Sequence, residues 1–572
     1  MMKTFRSYSL AMALFFAFGL SVVATPSISL AQSEADYVKE EVELGAWLKP
    51  SNRPYFQKVY GDRAFQPIWT ANGQLNVRAI ELRNAVLRAV PAHGLRVRDY
   101  WTNQIESFFQ PNFDSRAWLA AEMALSKVFI DVSIQLNVGR VNPEAIATDI
   151  KFAQRSFTDW PELQAAANGA GIAALWDRLA PQHEGYKRLQ IALARMQTIE
   201  KAGGFKALYA PKITLKKGSK NPVVKSLKLR AQAMGYLVSN VDDVFDEELE
   251  EHVQDIQEWN LAPSTGVLTP SDSQSWEWFA VSSARRIQQL ELSMEKYRWL
   301  PRKLEERHIF VNLATQRLKL HDPTNTLDSV REMKTINGRP SRKTPSMRDE
   351  TKHVVLNPTW GVPPRIFAED KLTHIRELLT KGGYPAFDAW MNANRFHVMD
   401  ETLTQRLAAG SIDWMNLDPK EAKFYIVQQP GYMNALGRAK ILLGNAWFIY
   451  MHDTNERDLF LTAANRAKSS GCIRLERPID MVEYLLRGTK WNRTELDAFV
   501  AKPGETKEKE SWVKIPEANR IVVYTMSITS HVGDDNVIRF TQDVYAQNLA
   551  VLQSLQAAGF YKGKIDGEMG VI

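Results

Sequence analysis

The spacing of apolar residues changes once along this chain, and that change constrains the fold more than any other feature. From Glu34 to about Lys201 they recur every three or four positions, as in Ala79-Ile80-Glu81-Leu82-Arg83-Asn84-Ala85-Val86-Leu87, the pattern of packed amphipathic helices. Beyond Pro301 the period becomes two. Ile309, Val311 and Leu313 alternate with polar neighbours, and Arg317-Leu318-Lys319-Leu320 follows across a short turn as the second arm of a hairpin. Further strands are expected at Val330–Ile336, His353–Leu356, Phe424–Gln428, Ala446–His452 and Ile521–Ile528, so residues 305–547 read as mainly β. A chain of 572 residues exceeds what one hydrophobic core serves, and the two textures divide it into a multidomain α+β protein.

Between the two textures lies a compact helical module over 206–280: a helix from Val224 to Met234, a stop at Gly235-Tyr236, and a second helix from Leu249 to Trp259. A connecting helix over 281–304, strongest from Ser282 to Trp299, ends at Pro301, so residues 32–205 before the module form a separate helical scaffold. Inside the β region, residues 370–420 carry helical stretches at Leu372–Leu379 and Thr402–Leu407 and a loop rich in Trp, Met and Asn. They read either as a lid or as a plain structural excursion. At 548–572, Leu555-Gln556-Ala557-Ala558-Gly559-Phe560 followed by Ile565-Asp566-Gly567 echoes Ala231-Gln232-Ala233-Met234-Gly235-Tyr236, as half of a second module that cannot bury its apolar face alone.

Residues 1–31 read as a secretory signal: Lys3 and Arg6 precede an apolar run from Leu10 to Ala24, and Ser29-Leu30-Ala31 offers a cleavage site. The run is short for a bilayer span and no later one is longer, so an exported chain with no stable membrane span after cleavage is expected. Removing Lys3 and Arg6 takes 72 basic residues to 70 against 65 acidic ones, a net charge of +5. No dense Lys/Arg tract accompanies it, which argues against nucleic acid.

Composition bears most directly on chemistry at cysteine, because Cys472 is the only one and exported proteins ordinarily pair theirs. It lies in Ser469-Ser470-Gly471-Cys472-Ile473-Arg474-Leu475, just before a helix that Pro478 begins. Gly471 lets the backbone approach a reacting group, the N–H groups of Gly471 and Cys472 are candidate oxyanion donors, and Arg474 favours thiolate over thiol. A thiol of ordinary pKa needs a base. His452, delivered by Trp447-Phe448-Ile449-Tyr450-Met451 twenty residues upstream, is the candidate among ten histidines. No His-Glu-x-x-His or paired-cysteine spacing points to a metal, and no cofactor is expected.

His452-Asp453-Thr454 followed by Ser470-Gly471-Cys472-Ile473-Arg474 resembles the signature of the L,D-transpeptidase catalytic domain. Asn357-Pro358-Thr359-Trp360-Gly361-Val362-Pro363 and Pro430-Gly431-Tyr432-Met433-Asn434-Ala435-Leu436-Gly437 resemble its long, multidomain branch. The 206–280 module, with Gln257-Glu258-Trp259 closing its second helix, resembles a peptidoglycan-binding domain. The resemblance implies a periplasmic, wall-associated enzyme. In it Cys472 attacks the meso-diaminopimelate carbonyl of a tetrapeptide stem, D-alanine leaves, and the acyl group passes to an amine. It further implies His452 as base, support from Gly471, Ser470, Arg474 and Tyr450, a substrate contact at Asn434, and acylation by carbapenems. Ser470 and Asp453 stand where many members carry histidine and glycine, so no second active-site histidine is implied. A cysteine carboxypeptidase or amidase using water, and a non-catalytic wall-binding protein, remain the alternatives.

Overall fold

The computed structural model describes residues 32–563 and 565, apart from 46–47, 49–51, 112, 170, 209–211 and 508. The signal segment 1–31 and Asp566-Gly567 lie outside the described residues.

The scaffold is built around helices α1 (Val77–Ala92), α2 (Trp118–Val138) and α3 (Glu184–Lys201). Asn76 starts α1 by accepting from the N–H groups of Arg78 and Ala79, and Ala79, Leu82, Ala85 and Val86 then turn inward every three or four residues. Helix α2 is buried nearly all round, so its polar residues must find partners inside. Glu122 does so by accepting from the N–H groups of Ile68 (2.6 Å) and Trp69 (2.9 Å) and from the Thr70 hydroxyl (2.9 Å). Trp69 and His93, which the sequence suggests as packing or surface groups, are both in the interior.

The module follows as α4 (Pro222–Met234) and α5 (Glu247–Trp259), capped by Asn221 and Asp246. Gly235 ends α4 in the left-handed region at φ 102°. Helix α6 (Ser283–Tyr297), capped by Ser282, then runs as a spine between scaffold and β domain. Glu295 on α6 pairs with Arg140 (2.9 Å) and Arg298 (2.8 Å) in a site closed to solvent, and Lys296 donates to the Ser527 carbonyl and to Asn548. Removing one partner from a buried pair of this kind costs about 3–5 kcal/mol, so the spine holds the two bodies together.

The β domain is one curved sheet. Its strands are β1 (His308–Asn312), β2 (Arg317–His321), β3 (Glu332–Gly338), β4 (Met347–Leu356), β9 (Ala439–Leu443), β10 (Met451–His452), β12 (Ile473–Leu475), β13 (Ser511–Lys514) and β14 (Val522–Met526), with β11 (Ala467–Ser469) beside β3. Pairing runs β9-β10-β12-β3-β2-β1-β14-β4-β13, and β4 also pairs with β9, so the path closes on itself. Helix α8 (Pro478–Leu485) packs Met481, Val482 and Leu485 into the same core as Ile309, Val354, Ile441 and Ile473.

A second, small sheet stands beside this one, formed by β5 (Trp360–Gly361), β8 (Phe424–Gln428), β6 (Phe396–Asp400) and β7 (Arg406–Leu407) in that order. With α7 (Leu372–Ala393) it encloses its own core of Phe367, Ile375, Phe387, Met391 and Trp414. The helix expected at Thr402–Leu407 is absent: Asp400 accepts from the N–H groups of Thr404 and Gln405, folding a turn into β7. The strand expected over Ala446–His452 is confined to Met451–His452. The Asn445 side chain accepts from the N–H groups of Trp447 and Ile449, and Phe448 adopts φ 56°, so the stretch before β10 loops outward instead of pairing.

The chain then closes with hairpin β15 (Ser530–Val532) and β16 (Ile538–Phe540) and helix α9 (Gln547–Ala557). Helix α9 does not lack a place for its apolar face. Val551, Leu552 and Leu555 are buried with Val141, Phe152, Trp299 and Tyr524, where scaffold, spine and sheet meet.

Candidate active site

Strand register assembles the site. Strand β12 runs parallel to β10, with Met451 opposite Ile473 and His452 opposite Arg474, and the Ile473 N–H donates to the Tyr450 carbonyl at 3.0 Å. Side chains alternate faces with period two, so Tyr450 and His452 share a face with Cys472 and Arg474. On the other side, β9 is antiparallel to β10 and sets Lys440 opposite His452. Five polar side chains are thereby delivered to one face by three short strands.

Cys472 sits in a loop whose shape is set from within. The Ser469 hydroxyl donates to the Cys472 carbonyl (2.6 Å) and accepts from the Gly471 N–H (3.2 Å), while Thr344 donates to the Gly471 carbonyl (2.7 Å). Gly471 has φ 121°, so glycine is required there. These bonds correct one expectation: the Gly471 N–H is committed to Ser469 and is not free to receive an oxyanion. The Cys472 N–H donates no hydrogen bond among the described residues and is the remaining backbone donor.

The half-buried thiol lies 3.6 Å from the Phe448 carbonyl, and no hydrogen bond joins it to His452 among the described residues. The structure therefore places the two groups diagonally on one face without contact. His452 is 5% exposed. Its Nδ1 lies against the Asp453 carbonyl, which can only accept, so the proton is on Nδ1 and the Nε2 lone pair is left as the base. Burial, then the nearby Arg474 charge, pushes its pKa down to about 3, so the imidazole is neutral. Burial raises the Cys472 pKa, opposed by contacts with Tyr450 and by the charges of Lys440 and Arg474.

The other expected residues divide. Tyr450 belongs to the site, its ring 5.6 Å from that of His452 and its hydroxyl pKa raised by burial and by the thiol. Ser470 supports the loop from outside, accepting from Arg342 at 2.9 Å. Arg474 faces the site but its guanidinium is held by Glu456, so its charge is shared. Asn434 is a correction. It is buried, donating to the carbonyls of Gln428 (3.2 Å) and Gln429 (3.0 Å) and accepting from the Leu436 N–H (2.8 Å), which commits it to bracing its own loop.

Sequence reasoning missed three groups. Lys440 has its Nζ 3.9 Å from the Tyr450 ring centroid, and its only signal is a charge inside the apolar strand Ala439–Leu443. Asp453, which the sequence marks only as a departure from glycine, is buried between Arg438 (2.7 Å) and Arg457 (2.6 Å), and Gly437 leaves it room: a Cβ there would lie 2.4 Å from its carboxyl carbon. Arg342 links Ser470 to Glu369 and Asp370 at the root of α7. No group of three or more His, Cys, Asp or Glu side chains able to hold a metal occurs among the described residues, and none of their helices is long and apolar enough to cross a membrane.

A thiol, a buried neutral imidazole and flanking cations on the rim of a closed sheet, behind a helical scaffold, define a multidomain α+β protein with a cysteine-bearing β domain. Comparison gives that domain its family. Residues 306–492 match the L,D-transpeptidase catalytic domain and residues 54–193 the Scaffold domain, so the chain carries an L,D-transpeptidase catalytic domain behind a scaffold. A Haemophilus influenzae protein whose name places it among the L,D-transpeptidases is 30% identical over 240 residues, covering 41% of this chain and 44% of that protein's length. Solved L,D-transpeptidase structures from Xylanimonas cellulosilytica and Stackebrandtia nassauensis are 11% and 10% identical, cover 55% and 56% of this chain and 98% of each of theirs, and have TM-scores of 0.16 and 0.20. Scores that low carry no argument.

Proposed function

We propose that this protein is a peptidoglycan L,D-transpeptidase of the periplasm that joins diaminopimelate residues through a thioester of Cys472. The observation that carries the reading is the shared face of Tyr450, His452 and Cys472 within a matched catalytic domain. In acylation the thiol swings from the Phe448 carbonyl toward Nε2 of His452 and gives up its proton. The sulfur then bonds to the meso-diaminopimelate carbonyl of a tetrapeptide stem. The oxyanion that forms faces the Cys472 N–H. The bond to D-alanine breaks as its amine takes the proton back, and an acceptor amine later attacks the thioester to release the thiol. The reaction conserves the energy of one amide in another and needs no nucleotide. Carbapenems, opened by the same sulfur, are expected to add their mass to the protein.

The small sheet and α7 act as a cover over this face, because their core takes in Tyr450 and Leu436 from the catalytic side. The module of α4 and α5 is a wall-binding unit in this reading.

The test is the product mixture from tetrapeptide muropeptides. The wild-type protein is expected to form dimers linked between diaminopimelate residues, and Cys472→Ala to form none, a loss of at least a thousandfold. Tripeptide products without dimers would instead make water the acceptor and the protein a carboxypeptidase. Dimers formed by Cys472→Ala would end the proposal.

A further inference from the structure

Among the described residues, one cation beside this site has no carboxylate in ion-pairing contact. Arg474 on β12 is bound to Glu456. Asp453, after β10, is held between Arg438 and Arg457. Behind the cysteine loop, Arg342 is matched by Glu369 and Asp370, and Arg339 also pairs with Asp370. Glu510, ahead of β13, accepts from the Thr359 N–H and from the Trp512 indole and keeps its negative charge, which acts on Lys440 from beyond ion-pairing distance. His452 is neutral and Tyr450 is held in its protonated form by burial. What is left is Lys440: half-buried, opposite His452 in register, and with no carboxylate within ion-pairing distance among the described residues. Its ammonium rests on the face of the Tyr450 ring, an attraction that fixes a cation without neutralising it.

We propose that Lys440 is the counter-ion of the Cys472 thiolate as it forms, a positioning residue that eases loss of the thiol proton to the uncharged base His452. The proposal rests on Cys472 being the nucleophile but not on its substrate. An imidazolium cannot fill the role easily, because burial and the charges of Arg474 and Lys440 hold His452 neutral. The same Lys440 charge opposes the rise that burial imposes on the thiol. Ionisation passes the S–H proton by way of Nε2 of His452 to water and leaves a thiolate that the Lys440 charge stabilises, so no further reactant is involved.

Because the chain has one cysteine, alkylation reads this sulfur alone. Iodoacetamide forms an S–C bond as iodide leaves, and intact mass follows the rate from pH 5 to 10 on the purified protein. Lys440→Met is expected to raise the midpoint of the rate profile by about one unit, slowing labelling at pH 7 about tenfold, while Lys440→Arg keeps the wild-type midpoint. Lys440→Gln serves if the Met variant does not fold, with thermal melting as the check on each. An unchanged midpoint in a folded neutral variant, or an equal rise in Lys440→Arg, overturns the proposal. Iodoacetamide carries no peptide, so the two readings fail separately. A shifted midpoint without crosslinking activity counts against the transpeptidase alone, and an unshifted one with normal crosslinking against Lys440 alone.

Discussion

Two additions flank the catalytic sheet, and they are fastened to it by different forces. The module of α4 and α5 shares a core with hairpin β15–β16: Val532, Val537, Ile538 and Phe540 lie in one apolar cluster with Leu227, Met234, Val253 and Ile256. Its Gly235 turn meets the hairpin so closely that a Cβ would lie 2.7 Å from the Asn536 carbonyl. At the rim, the Trp259 ring stacks on His531 with centroids 5.1 Å apart, and Asp255 pairs with Arg539 at 2.9 Å. The small sheet with α7 has a core that takes in Leu436 and part of Tyr450 from the catalytic side, but it reaches the cysteine loop itself through charge, from Asp370 and Glu369 to Arg342 and on to Ser470. Apolar burial is not weakened by salt, whereas ion pairs at a partly wet surface are screened and readily exchange for water. The module is therefore joined to the catalytic body mainly by apolar burial, and the small sheet, whose link to the cysteine loop is ionic, is expected to loosen first as salt is raised.

The largest effect should come from breaking the apolar joint. Phe540→Ala removes a buried ring that also carries the Arg286 guanidinium 4.1 Å from its centroid, and is expected to cost about 3–5 kcal/mol in unfolding. Amide exchange should rise in α4 and α5 together with the hairpin. A stability loss that left those helices protected would show the module to be an independent bead, and the comparison would fail.

The contrast between the two additions was only half legible in the sequence. Two helix boundaries followed from local chemistry, Gly235 after Met234 and Pro478 opening α8, whereas α5 starts at Glu247, two residues before the expected Leu249. Cys472 and His452 could be proposed because a lone cysteine in a glycine loop and a histidine at a strand end are local signals. Lys440 could not, since its part depends on β9 pairing with β10 in one register, a contact that spacing does not encode. For the same reason Asn434 was misplaced: its neighbours suggest a substrate loop, while its side chain closes that loop on itself. The loop before β10 was misread because Trp447-Phe448-Ile449 has strand composition, yet Phe448 is 84% exposed and held outward by Asn445. The docking of His531 on Trp259 joins residues far apart in the chain, beyond any local pattern.

An intermediate effect is expected at the ionic joint. Arg342→Ala leaves Glu369 and Asp370 partly solvated, and Asp370 keeps Arg339, so the cost to folding should be about 1–2 kcal/mol. The larger change should be functional: faster amide exchange at the root of α7 and a roughly tenfold slower crosslinking rate, from a cysteine loop that has lost its brace at Ser470. Raising salt should slow the wild type toward the variant and barely affect the variant itself. Equal salt sensitivity in both would mean that the latch is not ionic.

The smallest effect should be one of pH, and it sharpens the claim that the module's rim is closed. Burial against Trp259 pushes the His531 pKa down to about 4, with Arg539, Lys319 and Arg188 adding to the fall and Asp535 opposing it. An ordinary histidine in the unfolded chain titrates near 6.5. Between those values the unfolded state binds the extra proton, so the stabilisation is fully present above about pH 6.5 and is lost as pH falls toward 4. Because the ring is partly exposed, the change should be on the order of 1 kcal/mol rather than the full value of the shift. Other depressed histidines, such as His183, slope the same way, so the readout is a difference between proteins. His531→Phe keeps a ring on Trp259 but cannot take a proton, and its stability should therefore fall less than the wild type's between pH 6.5 and 4, measured by urea unfolding. Parallel slopes would mean that water reaches His531 freely, that the rim opens in the folded state, and that the apolar joint is looser than its core implies.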